Sequence, residues 1–134
     1  MALLRAREAI MAHFRPMLAH HDITEQQWRV LRMLAEAGPL EATELANQAS
    51  ILPPSLTRII KALEERKFLT RSRVKDDGRR TRLAITPAGL ALIEELAPER
   101  AAIYDAIEKR FGAGEHEKLL DMLEGLIRSQ NGQK

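Results

Sequence analysis

The sequence predicts a mainly α-helical fold with one small β-hairpin, and three observations predict it. Apolar residues recur every three or four positions through most of the chain. That period gives way to a two-residue alternation only near Leu69 to Thr86. Aromatic residues are 4% of the 134, so the core must be built from Leu, Ile, Ala and Met, a composition that favours helices.

The first helix is expected over about Ala2 to Ala19. Leu3, Arg7, Ile10, Phe14 and Met17 recur at helical spacing, with Leu4, Met11 and Leu18 beside them. Pro16 falls near its end, where it is expected to kink the helix or end its regular bonding. Thr24 and Gln27 form a Thr-x-x-Gln capping box that starts a second helix. Trp28, Leu31, Leu34 and Ala35 make its inner face, and Gly38-Pro39 stops it. A short helix from about Ala42 to Ala49 turns Leu45 and Ala46 inward. The next helix starts at Pro53-Pro54, because a first-turn proline lacks only an N–H that would go unpaired anyway. Leu56, Ile59, Ile60 and Leu63 are its apolar stripe; Ser55, Thr57, Arg58 and Lys61 lie off it and face out.

Strands are expected at Leu69 to Val74 and Thr81 to Thr86, with Leu83 and Ile85 alternating against Arg82 and Ala84. Residues Lys75 to Arg80 between them read as a turn with Asp and Gly at its centre. Thr86 is a good N-cap, and Pro87 restarts a helix that runs to Phe111. Leu90, Ile93, Ala97, Ala101, Tyr104 and Ile107 mark its expected inner face, and Pro98 must bend or divide it. Gly112 and Gly114 end it. The last helix carries the dense stripe Leu119, Leu120, Leu123, Leu126 and Ile127, and Gln130 to Lys134 form a polar tail expected to fray.

Composition excludes several function classes. Without Cys there is no disulfide, thiolate nucleophile, Cys-ligated zinc or thiol redox centre. No Ser/His/Asp set sits on a recognisable elbow and no Gly-rich phosphate loop is present, so an enzyme is not expected. His13, His20, His21 and Asp22 cluster in sequence, but adjacent side chains on a helix diverge by about 100°. Neither a metal site nor a cofactor is expected. No apolar run approaches the roughly 20 residues of a membrane span, and the first segment lacks a signal-peptide stretch, so a single cytoplasmic domain is the expectation.

The charge distribution points to a partner. From Arg58 to Arg82 ten Lys/Arg face four Asp/Glu, a balance of +6, whereas the rest of the chain balances at −4. A focused basic patch attracts a phosphate backbone. The short-helix pair followed by a basic hairpin forms a winged helix-turn-helix, whose second helix fits a major groove of about 12 Å. Arg58 can fork onto guanine, while Pro54, Ser55, Thr57 and Lys61 lie along the same exposed start of that helix. Arg71, Arg73, Lys75, Arg79 and Arg80 supply the wing, where an Arg at the tip can enter a narrow minor groove. Asp76 or Asp77 is expected to fold back onto a wing Arg. The terminal helices are too apolar for a monomer. A dimer formed by the N- and C-terminal helices covers them and sets two reading helices against a palindromic site in double-stranded DNA. Beside the enzyme class set aside above, a nonspecific architectural DNA binder is a second rival, separated by titration against random and palindromic duplexes.

The order of elements resembles the MarR regulators. Glu44-Leu45-Ala46, the run Leu56 to Glu64, Gly78-Arg79-Arg80 and Leu83-x-Ile85-Thr86-Pro87-x-Gly89 carry the resemblance across the chain. Gly78 departs from the Asp that many members place before the Arg pair. Within the family, Ala6-Arg7-Glu8-Ala9, Phe14-Arg15-Pro16 and Thr24-Glu25-Gln26-Gln27-Trp28-Arg29 resemble the branch that represses homoprotocatechuate (4-hydroxyphenylacetate) degradation operons. That resemblance implies a repressor released by a small aromatic carboxylate, with a MarR-type regulator of another phenolic or drug-response system as the alternative. The candidate ligand residues are Arg15, Phe14, His21 and Trp28. Arg15 can fork onto a carboxylate or sit in a structural ion pair, and Trp28 can hold a ring or fill the core.

Overall fold

The structure is a computed structural model, and it describes residues 1–74 and 77–132, without the side chains of residues 77–79. In chain order the elements are α1 (Ala2–His20), α2 (Glu25–Ala37), β1 (Leu40–Glu41), α3 (Ala42–Ala49), α4 (Pro53–Glu65), β2 (Leu69–Val74), β3 (Asp77–Ile85), α5 (Pro87–Phe111) and α6 (Ala113–Gln130). Contacts divide the chain into two compact units, Met1–Pro98 and Glu99–Lys134.

The first unit holds every buried apolar side chain among the described residues. Its centre is Leu31, Leu34, Leu45, Leu56, Leu63 and Leu83, with Met17 and Leu18 from the end of α1 and Leu92 and Leu96 from α5. The capping box forms as expected: Thr24 Oγ1 accepts from Gln27 N at 3.1 Å, and Thr24 N donates to Gln27 Oε1 at 3.1 Å. Val30 joins Trp28, Leu31 and Leu34 on the inner face of α2, while Ala35 is only half-buried.

The hairpin belongs to a three-stranded antiparallel sheet in the order β1-β3-β2, with β3 at its centre. The sequence reading did not foresee β1. Its two residues are too short for a periodic signal, and they pair through backbone groups, Leu40 opposite Leu83 and Glu41 opposite Arg82. The second hairpin strand starts at Asp77, four residues before the expected Thr81, and ends at Ile85. Polar wing residues therefore continue the ladder, because backbone pairing needs no apolar side chain. The register slips between Arg73 and Val74.

Two prolines sit inside continuous helices, Pro16 in α1 and Pro98 in α5, so neither divides its helix. The inner face of α5 also differs from expectation. Gly89, Leu92 and Leu96 are buried, whereas Leu90 is exposed and Ile93 and Ala97 are half-buried. The cause lies at the first turn. Thr86 Oγ1 accepts from Gly89 N at 3.1 Å and donates to Lys67 O at 2.7 Å, while Thr86 N donates to Phe68 O at 3.0 Å. This anchoring presses Gly89 against the sheet. A Cβ there would stand 2.5 Å from Phe68 O and 2.6 Å from Ile85 Cγ1, so the Thr-Pro-x-Gly pattern requires its glycine. Leu92 and Leu96 follow Gly89 at helical spacing and so share its face.

The second unit has no buried side chain among its described residues. Tyr104 Oη and His116 Nε2 lie 2.9 Å apart between α5 and α6. Leu119, Leu120, Met122, Leu126 and Ile127 are all exposed within the chain. Across the described residues no helix is long and apolar enough to cross a membrane.

Candidate nucleic-acid interface

α4 is fixed by one face and free on the other. Leu56, Ile59, Ile60 and Leu63 are buried, which turns Pro54, Thr57, Arg58 and Lys61 to solvent and leaves Ser55 half-buried. Thr57 Oγ1 donates to Pro53 O at 3.0 Å, so its methyl and lone pairs remain available. Among the described residues neither Arg58 nor Lys61 makes an ion pair, and two long cations without carboxylate partners suit an anionic surface.

The wing distributes its cations over both sheet faces. Arg71 and Arg73 alternate with Thr70 and Ser72 and share the face that carries Leu69 and Leu83. Arg82, opposite Ser72, lies on the other face, and Ser72, Arg73, Val74 and Arg82 line an open cleft. Arg71 Nη2 reaches Glu64 Oε1 at 3.2 Å, which ties the first wing strand to the end of α4. Arg80 donates to Glu41 on β1. Glu41 thus braces a wing Arg from outside the hairpin. The expected brace from Asp76, the wing contact from Lys75 and the side chains of Asp77 and Arg79 lie outside the described residues.

A second polar cluster joins α1 to α2. Arg7 donates to Glu8 at 3.2 Å and also to Glu25 Oε2. Arg15 Nη2 is 2.9 Å from Glu8 Oε2 and 3.6 Å from Glu25 Oε1. Arg29 Nη2 donates to Glu25 Oε2 at 3.1 Å, and Arg29 Nη1 donates to Ala49 O at 2.9 Å. Burial, and secondarily the like charge of Arg7, pull the Arg29 guanidinium below its ordinary range. Trp28 is buried one turn after Glu25, with the Arg32 guanidinium 5.9 Å from its ring centroid. Phe14 and His21 are half-buried, and His21 Nδ1 is 3.9 Å from Glu95 Oε1. Arg66, just past α4, donates to Asp22 O at 2.5 Å and His21 O at 3.3 Å.

Comparison with known proteins agrees with this geometry. The family described as MarR matches residues 23–81. The chain is 44% identical to the HTH-type transcriptional regulator FarR of Neisseria gonorrhoeae over 96% of this chain and 88% of that one. The chain belongs to the MarR family. It is 38% identical to the homoprotocatechuate degradative operon repressor of Escherichia coli, over 99% of this chain and 90% of that one. The crystal structure of NadR in complex with 4-hydroxyphenylacetate superposes with a TM-score of 0.89 at 42% identity, covering 98% of this chain and 96% of that one.

As a MarR-family chain the protein is a winged helix-turn-helix transcriptional regulator and not an enzyme. Several interface features escaped the sequence reading. Arg82 is not among the sequence-derived candidates, although its alternation with Leu83 places it on the face opposite that residue. The Arg80–Glu41 and Arg66–carbonyl contacts span 39 and 44 residues and leave no local trace in sequence.

Proposed function

We propose that this protein is a homodimeric repressor that binds a palindromic operator in double-stranded DNA and releases it when a small aromatic carboxylate binds. The observation that carries the reading is the solvent-facing side of α4, where Arg58 and Lys61 have no carboxylate partner among the described residues and stand on a helix locked by its buried face. Arg58 reads guanine by a forked pair of hydrogen bonds, and Pro54, Ser55 and Thr57 meet base edges or phosphate near it. Lys61, Arg71, Arg73, Lys75, Arg79 and Arg80 neutralise backbone phosphates or enter the minor groove. Residues 42–86 form the reading core of a single MarR-type domain, and 1–20 and 87–130 are its association helices. The exposed Leu3, Leu4 and Ile10 of α1 and the open stripe of α6 support that division. The cytoplasm, where operator DNA lies, is the proposed location.

The effector class rests on likeness to NadR, whose crystal structure contains 4-hydroxyphenylacetate, and to the homoprotocatechuate repressor. Arg15 grips the carboxylate, and Phe14, Trp28 and His21 border the ring. Three arginines against two carboxylates leave the Arg7, Glu8, Arg15, Glu25, Arg29 cluster one positive charge in surplus, which a ligand carboxylate would neutralise. Arg32, over Trp28, is a second cation within reach of a ring seated there.

Duplexes selected by the protein from a random pool provide the test. Fluorescence anisotropy should give a clear preference for palindromic over scrambled duplex, and added 4-hydroxyphenylacetate should weaken it. Equal binding to every duplex would favour an architectural protein. An unchanged affinity with ligand would remove the effector class and leave the DNA reading intact. Calorimetry of Arg15→Ala and Arg32→Ala separates the two candidate cations.

A further inference from the structure

We infer that Arg29 is the positioning residue that couples the α1–α2 charge cluster to the DNA-reading turn, with Glu25 as its shared anchor. The inference rests on the effector reading above. Arg29 splits its guanidinium fork: Nη2 holds Glu25 Oε2 at 3.1 Å and Nη1 holds Ala49 O at 2.9 Å. Ala49 is the last residue of α3, and its carbonyl is one of those a helix end leaves without an internal partner. Ser50 follows in the left-handed conformation at φ 54°, and the chain enters α4 at Pro53. One side chain of α2 therefore joins the backbone bonds Ser50 N to Asn47 O and Ile51 N to Ala46 O in holding the turn between the short helix and the reading helix.

Glu25 is poised between two arrangements. Its Oε2 receives Arg7 and Arg29, whereas its Oε1 is buried with no hydrogen-bond partner among the described residues. Arg15 Nη2 stands 3.6 Å from that oxygen. A buried carboxylate oxygen without a hydrogen bond is costly, so it will accept a donor when one comes free. A ligand carboxylate that draws Arg15 away removes one of the cations around Glu25 and leaves Oε1 to the others. Arg29 then gains by turning both N–H groups onto Glu25 as a bidentate pair, the stronger arrangement for arginine and carboxylate. That turn surrenders Ala49 O. The end of α3 loses its tether, and the angle at which α4 leaves the turn is no longer fixed. The two states of one fork, split or bidentate, are the bistable element that a coupling mechanism needs.

The experiment measures operator affinity with and without saturating 4-hydroxyphenylacetate, for wild type, Arg29→Lys and Glu25→Gln. Calorimetry on each protein establishes that the ligand still binds, and circular dichroism establishes folding. Wild type should lose about tenfold or more in operator affinity with ligand, within the usual range of coupling. Both variants should bind ligand yet change operator affinity by less than about twofold, since a lysine cannot make the fork and a glutamine carries no charge to attract it. A structural role alone would lower stability and leave that ratio intact. Hydrogen exchange on the wild-type protein needs no variant: amides of residues 46–52 should exchange faster with ligand bound. A full wild-type ratio in both variants, or unchanged exchange in that segment, overturns the link. If wild type itself does not respond to the ligand, the effector reading falls first and the link falls with it.

Discussion

The units Met1–Pro98 and Glu99–Lys134 use apolar side chains in opposite ways. α4, in the first, carries a stripe of four, and all four are buried. α6, in the second, carries a stripe at least as dense, yet none of its residues is buried. Both helices look alike by periodicity. The difference teaches that a stripe states only that a face must be covered; it says nothing about whether the cover comes from the same chain. For α4 the cover is in the chain. For α6 it is assigned to a second copy, since exposed apolar area of this kind is a recurrent sign of association.

The largest expected effect tests the first half of that contrast. Leu63 is fully buried. Leu63→Ala should cost about 2–5 kcal/mol of stability, the transfer loss plus the cavity it leaves. The cost should be the same at every protein concentration, read from urea unfolding at two concentrations a hundredfold apart. A cost relative to wild type that changed strongly with concentration would mean that the core of the first unit is completed by the partner.

A smaller effect is expected on α6, and it should appear only as association. Leu126 is 44% exposed in the chain, so Leu126→Asp places a charge where water already reaches. In a dimer that burial of an unpaired carboxylate is unfavourable, and the dissociation constant should rise by about tenfold or more, some 1.4 kcal/mol or above. Sedimentation at micromolar concentration measures it, and helical content should be unchanged. A variant that unfolds instead would show that α6 is needed within its own chain.

Much of this fold was legible in the sequence, for reasons that particular residues make plain. Thr24-x-x-Gln27 and Thr86-Pro87-x-Gly89 are local devices whose partners sit three residues away, so their chemistry can be read in one window. The stripe of α4 is likewise local. The inner face of α5 was misjudged by one position because it depends on Phe68 O and Ile85, which meet Gly89 from the neighbouring sheet. Glu41 escaped the sequence reading as a partner of the wing for the same kind of reason, since only the pairing of β1 with β3 brings it to Arg80. In the candidate ligand cluster, Arg15 was visible as a cation ahead of Pro16. Its competition with Arg7 and Arg29 for Glu25 was not, because Arg29 pairs with Glu25 one turn along α2 while Arg7 and Arg15 reach that carboxylate only after α1 has packed on α2.

The smallest expected effect concerns the charged surface of the first unit, and it should leave both earlier quantities untouched. Arg71 and Arg73 are two residues apart on β2 and share a sheet face, but Arg71 is already engaged by Glu64 at 3.2 Å. No ion pair among the described residues engages Arg73. An arginine held by a carboxylate neutralises less of a nearby phosphate than one without such a partner, because its charge is partly compensated and its side chain is committed to another geometry. Each phosphate neutralised on duplex DNA releases condensed counterions and adds about 0.9 to the slope of log affinity against log salt. Arg73→Ala should therefore flatten that slope by about one unit per operator half-site, weakening all duplexes alike. Arg71→Ala should flatten it by clearly less. Neither change should alter urea unfolding or sedimentation, because neither side chain is buried. Anisotropy titrations between 50 and 200 mM salt decide it, a range over which phosphate-dominated binding changes by about 10³ or more. Equal slopes for the two variants would mean that the Arg71–Glu64 pair opens on DNA and that the whole wing face meets phosphate.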